Sequence, residues 1–134
     1  KPCEFRSWPA PSYVQGQRIG IHAGARKVRP AELYDLLVRL KTPEAWTTGL
    51  KVDIALPLLE QWLDRPQRLP LSSILGTAVL GKPVRSTKIM AELGGPVNDS
   101  DRDDHSNFAW PLTDIQRFEP IVPMKGAQGF WRWG

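Results

Sequence analysis

Residues 74–81, ILGTAVLG, are aliphatic, small or β-branched and carry no charge. Residues of this kind fit a pleated surface, and glycine leaves room for a neighbouring backbone. The stretch therefore reads as a buried strand that crosses close to another backbone. The rest of the chain has to supply its partners. Residues 4–8 (EFRSW) and 17–23 (QRIGIHA) alternate polar with apolar side chains, the period of half-buried strands. The Pro- and Gly-punctuated PAPSYVQG between them joins the two as a loose hairpin. Residues 107–118 (NFAWPLTDIQRF) read as one or two strand pieces broken at Pro111, since proline cannot donate to a central ladder. The tail, residues 119–133, reads as an irregular crossing with a final strand.

Two helices interrupt these strands. Pro30 opens a pattern in which Leu33, Leu36, Leu37 and Leu40 fall on one stripe. A second set, Leu58, Leu59, Trp62 and Leu63, starts after Pro57 and ends near Asp64. RPQRLPLSS (65–73) is a connector, TKIMAEL (87–93) supplies one or two helical turns, and Gly94-Gly95-Pro96 stops them. Strands without regular βα alternation speak against a doubly wound sheet and favour an α+β fold, a small mixed β-barrel flanked by short helices. At 134 residues, with no repeat, residues 1–134 form a single domain.

Net charge is +4, and its distribution is uneven. Between Lys1 and Lys41 stand eight Lys or Arg against three acids, whereas NDSDRDDH (98–105) gathers four aspartates as a solvated loop. A local basic surface makes polyanions the first partners to consider, although surplus charge also simply keeps a protein soluble. No apolar run approaches the roughly 20 residues of a spanning helix. The N-terminus lacks a signal pattern. Cys3 stands alone, so no internal disulfide forms. These features predict a cytoplasmic monomer with no membrane contact.

Enzyme signatures are mostly missing: there is no G-x-S-x-G, P-loop or G-x-G-x-x-G. Cys3, His22 and His105 are too scattered for a zinc set, and the calcium-loop spacing of Asp99, Asp101 and Asp103 fails at Asp104 and Trp110. No metal or cofactor is expected. Three features remain. Glu4, Arg6 and Trp8 share one face of a strand. A glutamate-held guanidinium is a planar donor fork for phosphate, and a tryptophan offers a stacking face. The same triplet would also serve as an ion pair over a core tryptophan. HAGARK (22–27) carries Arg26 and Lys27 on a small-residue turn suited to a phosphate backbone, or is simply a charged loop with an inward His22. The tail interleaves Lys125 and Arg132 with Phe130, Trp131 and Trp133, a mixture that single-strand binders use and that equally anchors a terminus.

KPCEFRSW, RIGIHAGARK, LPLSSILGTAVL, FAWPLTDIQRF and VPMKGAQGFWRW, in that order, resemble the ASCH domain (activating signal cointegrator homology) of the PUA-like superfamily over about two thirds of the chain. Lys1, Glu4 and Arg6 fit the K-x-x-E-x-R part of the family motif G-x-K-x-x-E-x-R. The resemblance implies a PUA-like barrel whose cleft, lined by this stretch, engages nucleic acid; with the residue reading above, the candidate contacts to RNA or another single strand are Lys1, Glu4, Arg6, Ser7, Trp8, His22, Arg26, Lys27 and Trp110. Trp8 or Trp110 would be the stacking surface. It also implies that a first strand and helix precede Lys1. Some similar proteins are hydrolases, which makes a metal-independent ribonuclease or a modified-nucleoside amidohydrolase the second reading, with Lys1 or Glu4 as base. In the amidohydrolase pattern a threonine stands where this chain has Glu4, and a carboxylate does not replace a hydroxyl nucleophile. A protein-interaction module with a vestigial cleft is the third reading.

Overall fold

The computed structural model describes residues 2–89, 92 and 108–132. Along the chain these form β1 (Cys3–Arg6), β2 (Arg18–Ala23), α1 (Pro30–Leu40), α2 (Val52–Leu63), β3 (Ser73–Leu80), β4 (Val84–Arg85), α3 (Ser86–Ile89) and β5 (Phe108–Pro123). The strands make an antiparallel sheet in the order β1-β5-β3-β2, with β4 also on β5. The sheet curls into a half-barrel, giving a mixed α+β fold.

β3 is the central strand anticipated from its composition, and its glycine has the expected use. A Cβ on Gly76 would overlap the carbonyl oxygen of Gln116 and lie 3.0 Å from the Arg117 Cα, so only glycine lets β5 come this close. Curvature comes from mismatched register. Between Thr77↔Gln116 and Val79↔Thr113, β5 uses one residue more than β3, and between Ile74↔Val122 and Gly76↔Arg117 it uses three more. Such bulges bend a strand and increase its twist. The first places Asp114 at φ 45°. Arg18 holds it there, donating to the Asp114 carbonyl at 3.1 Å and pairing with its carboxylate.

Three expectations are corrected. β1 and β2 do not form a hairpin: β1 pairs with β5 and β2 with β3. The loop between them is occupied in burying Ala10 and Val14 beside Leu80 and Trp110. It is sewn to the end of β3 by Gly16 N–H to the Leu80 carbonyl (2.7 Å) and Leu80 N–H to the Gln17 carbonyl (2.9 Å). Secondly, β5 runs unbroken through Pro111. The Pro111 carbonyl accepts from Gly81 N–H at 2.8 Å. In an extended residue the nitrogen points to the same side as the carbonyl. The missing donor therefore faces Gly81, just past the end of β3. Thirdly, α2 begins at Val52 with Pro57 inside it, because Val52, Ala55 and Leu56 continue the half-buried stripe of Leu59, Trp62 and Leu63 towards the N-terminus. Leu58 points outward, 44% exposed.

α1 matches its pattern, burying Leu33, Leu37 and Leu40. The main core cluster is Ala10, Val14, Leu80 and Trp110, with Ile19, Phe108, Leu112 and Phe130 packed against it. No strand follows β5 among the described residues; the chain from Met124 to Arg132 is irregular. The acidic stretch 98–105, with its calcium-like spacing, and the second half of TKIMAEL apart from Glu92 lie outside the described residues. No described helix is long and apolar enough to cross a membrane.

Candidate functional site

Residues of β1 alternate sides, so Glu4 and Arg6 share a face. Their partners across the ladder, Trp110 and Phe108 of β5, stand on that face too. Phe108 is also the partner of Arg85 in β4. Arg6, Phe108 and Arg85 therefore form one row across three strands, with the Arg85 guanidinium 5.1 Å from the centre of the Phe108 ring. Arg6 Nη2 lies 3.1 Å from Glu4 Oε1, with side chains 52% and 32% exposed. An ion pair this exposed adds only about 0–1 kcal/mol to stability. Its consequence is geometric, since it steadies the Arg6 guanidinium on the face that Phe108 shares.

Trp8 lies past the end of β1, with Ser7 exposed before it. Strand alternation does not place it. Its carbonyl accepts the Trp110 indole N–H at 3.1 Å, and the two rings meet edge-on at 4.7 Å and 73°. Trp8 remains 45% exposed while Trp110 is 5% exposed. Of the two expected stacking surfaces only Trp8 offers a ring to solvent. Trp110 is a core residue, stacked on its own side by Phe130 at 5.8 Å and 17°. The ion pair over a core tryptophan and the exposed aromatic thus coexist, in two different tryptophans.

The other nominated residues belong to a second group. Arg6 stands opposite Phe108 at the start of β5, whereas Ala23 stands opposite Ser73, which pairs with Pro123 at its end. The turn after β2 therefore leaves from the far end of the ladder and the other edge of the sheet. There Arg26 donates to both carboxylate oxygens of Glu32, at 2.9 and 3.1 Å. The Arg29 backbone N–H reaches the same carboxylate at 2.8 Å, closing the start of α1. That N–H first, then the Arg26 fork, hold the Glu32 carboxyl at about 2, well below its ordinary 4.5. Lys27 is exposed and forms no ion pair among the described residues. His22 donates from Nε2 to the Met124 carbonyl at 2.8 Å and packs edge-on against Trp131 at 5.6 Å. It acts as the inward histidine that ties down the tail. Lys1 lies outside the described residues.

Arg85 escaped sequence analysis because β4 is two residues long, too short for alternation to register. The signal available was its basic neighbourhood, Lys82, Arg85 and Lys88. A depression of about 330 Å³ is lined by Gln61, Trp62, Asp64, Arg65 and Arg68 and shares no residue with the nominated set. Among the described residues no three His, Cys, Asp or Glu side chains gather as a metal site. No family model matches the chain, and its sequence matches no curated protein.

Proposed function

We propose that this chain is a PUA-like module of ASCH type that binds single-stranded nucleic acid, RNA in the first place, at the Arg6–Phe108–Arg85 row with Trp8 beside it. The observation that carries the reading is that row: the Arg85 guanidinium lies over the Phe108 ring, Arg6 stands opposite Phe108 on the neighbouring strand, and an exposed tryptophan stands two residues from Arg6. Guanidinium forks recognise phosphate oxygens, and every base has a face that stacks on an aromatic ring. The curled antiparallel sheet and the position of Glu4 and Arg6 on its edge strand agree with a small barrel of this kind. Arg26 and Lys27 belong to the opposite end of the ladder and are no part of this contact surface.

The test is fluorescence anisotropy of a labelled single-stranded RNA at several salt concentrations, followed by electrophoresis of the same mixtures. Trp8→Ala should weaken binding by about 1–3 kcal/mol, the value of one base stacked on an aromatic side chain. With two phosphates engaged, log K should fall against log salt with a slope of about −1.4. Equal binding by parent, Trp8→Ala and the Arg6→Ala, Arg85→Ala double variant would refute the reading. Shortened RNA would assign the site to a hydrolase instead.

A further inference from the structure

The stack of Phe130 on Trp110, 5.8 Å between centroids and 17° between planes, is the arrangement an unpaired base takes on an aromatic side chain. Trp110 is a rigid platform. It is buried, and its indole N–H is committed to the Trp8 carbonyl. Its occupant is held differently. The segment after β5 is fastened at one end by Met124, whose N–H donates to the Ser72 carbonyl at 2.7 Å and whose carbonyl accepts from His22 at 2.8 Å. From Lys125 to Phe130 no hydrogen bond is made among the described residues, and Lys125 to Gly129 are exposed. Phe130 is partly buried against the core, and Trp131 rests on His22. A ring at a core-like stack, carried on residues 125–130 that make no hydrogen bond among the described residues and fastened at Met124 and Trp131 on either side, can be removed without opening the sheet. Lys125 and Arg132 are exposed on either side of it and form no ion pair among the described residues.

We propose that the place filled by Phe130 is a base-binding subsite closed by the protein's own tail: residues 124–132 form a strap, and Phe130 exchanges with an unpaired base of the bound strand. This rests on the proposed function. It adds that the parent binds below its intrinsic affinity, because the strap must lift first, and that Lys125 and Arg132 gain phosphates when it does. The chemical class of ligand is a single strand with at least one unstacked base; a duplex has no base to insert.

Two variants release the strap without removing Trp110. A Cβ at Gly126 would lie 2.5 Å from His22 Cε1. Both contacts that hold the His22 ring, to Met124 and to Trp131, come from the strap itself, so Gly126→Ala loosens the strap whichever of the two gives way. Phe130→Ala removes the competing ring. Each should bind a labelled RNA octamer about 3- to 10-fold more tightly than the parent, by removing the cost of a closed state. Independently of either variant, 4-fluorophenylalanine at Phe130 in the otherwise unchanged chain should move to a solvent-like ¹⁹F shift when that RNA is saturating. Binding that depends on Trp8, together with an unmoved ¹⁹F signal and no gain in the two variants, overturns the strap and leaves the proposed function standing. Absence of RNA binding by the parent and by both released variants overturns both.

Discussion

Gly76→Ala tests the account of how this sheet is built. The added methyl would overlap the Gln116 carbonyl oxygen and meet the Gln116 carbonyl carbon at 3.1 Å and the Arg117 Cα at 3.0 Å. All three are backbone atoms of the paired strand, so no rotamer change relieves the contact; β5 has to move. Overpacking of this kind costs about 1–3 kcal/mol. Displacing β5 from Gly76↔Arg117 also weakens one or two ladder hydrogen bonds at about 1 kcal/mol each. A total of about 3 kcal/mol is expected. With an unfolding entropy of about 2.1 cal/mol/K per residue, a domain of this size loses about 10 °C in melting temperature for that change. Gly24→Ala is the matched control. A Cβ there meets nothing within 4 Å, and the residue does not need a left-handed backbone. It should leave the melt unchanged or raise it slightly, by lowering the entropy of the unfolded chain. Thermal unfolding followed by circular dichroism reads both. If Gly76→Ala melts within about 2 °C of Gly24→Ala, the close approach of β3 and β5 is wrong, since an overpacking penalty of even 1 kcal/mol would separate them further.

The two tryptophans of the site should part company. Trp110→Ala should cost about 3–5 kcal/mol by leaving a cavity beside Leu80 and Val14, whereas Trp8→Ala should cost far less in stability and act mainly on binding; denaturant midpoints measured beside RNA affinities check both. The folded Glu32 carboxyl lies below its ordinary value, so its contribution is complete above about pH 4.5 and is lost as pH falls toward about 2. An NMR titration of its side chain should show that midpoint, and Arg26→Ala should raise it only part of the way because the Arg29 N–H remains. Asp114→Val places a β-branched residue at φ 45° and removes the Arg18 pair, and should destabilise by about 1–3 kcal/mol in a denaturant titration. Cys3, 2% exposed, should react with an aromatic disulfide reagent only as the protein unfolds.

What could be read in the sequence follows from the range of the signal. α1 was legible because Pro30 and a leucine stripe are local, and β3 because its small residues speak for close packing whichever strand supplies it. The partner of β1 was not legible. Alternation identifies a strand, but Glu4 meets Trp110 across more than a hundred residues, and nothing near β1 encodes that register. Pro111 misled because the rule it invokes is about central ladder positions, and this one faces Gly81, just past the end of β3. The start of α2 was there to be found in Val52, Ala55 and Leu56, had the stripe been weighed above the preference of proline for a first turn. Between Trp8 and Trp110 no local signal decides which is buried; the choice is made by distant contacts, Ala10, Val14 and Leu80 in the core and Phe130 packed against them.

The same long-range contacts change what the basic surplus means. Arg6 is set against Glu4, Arg18 against Asp114, Arg26 and Arg29 against Glu32, and Lys41 against Glu60. Most cations of the first 41 residues are therefore already facing a carboxylate, and a phosphate that binds there has to compete for them. Exposed pairs of this kind are weak, so competition is cheap, but the net gain per phosphate is correspondingly small. Among the described residues of that stretch, only Lys27 and Arg39 carry a charge that faces no carboxylate, which is not a dense unpaired patch. If the proposed function holds, affinity has to come from ring faces, and at the candidate site the exposed one is Trp8, while Trp110 lies stacked by Phe130. A protein arranged in this way should prefer strands with unstacked bases over duplexes of equal charge, because only the former have faces to offer.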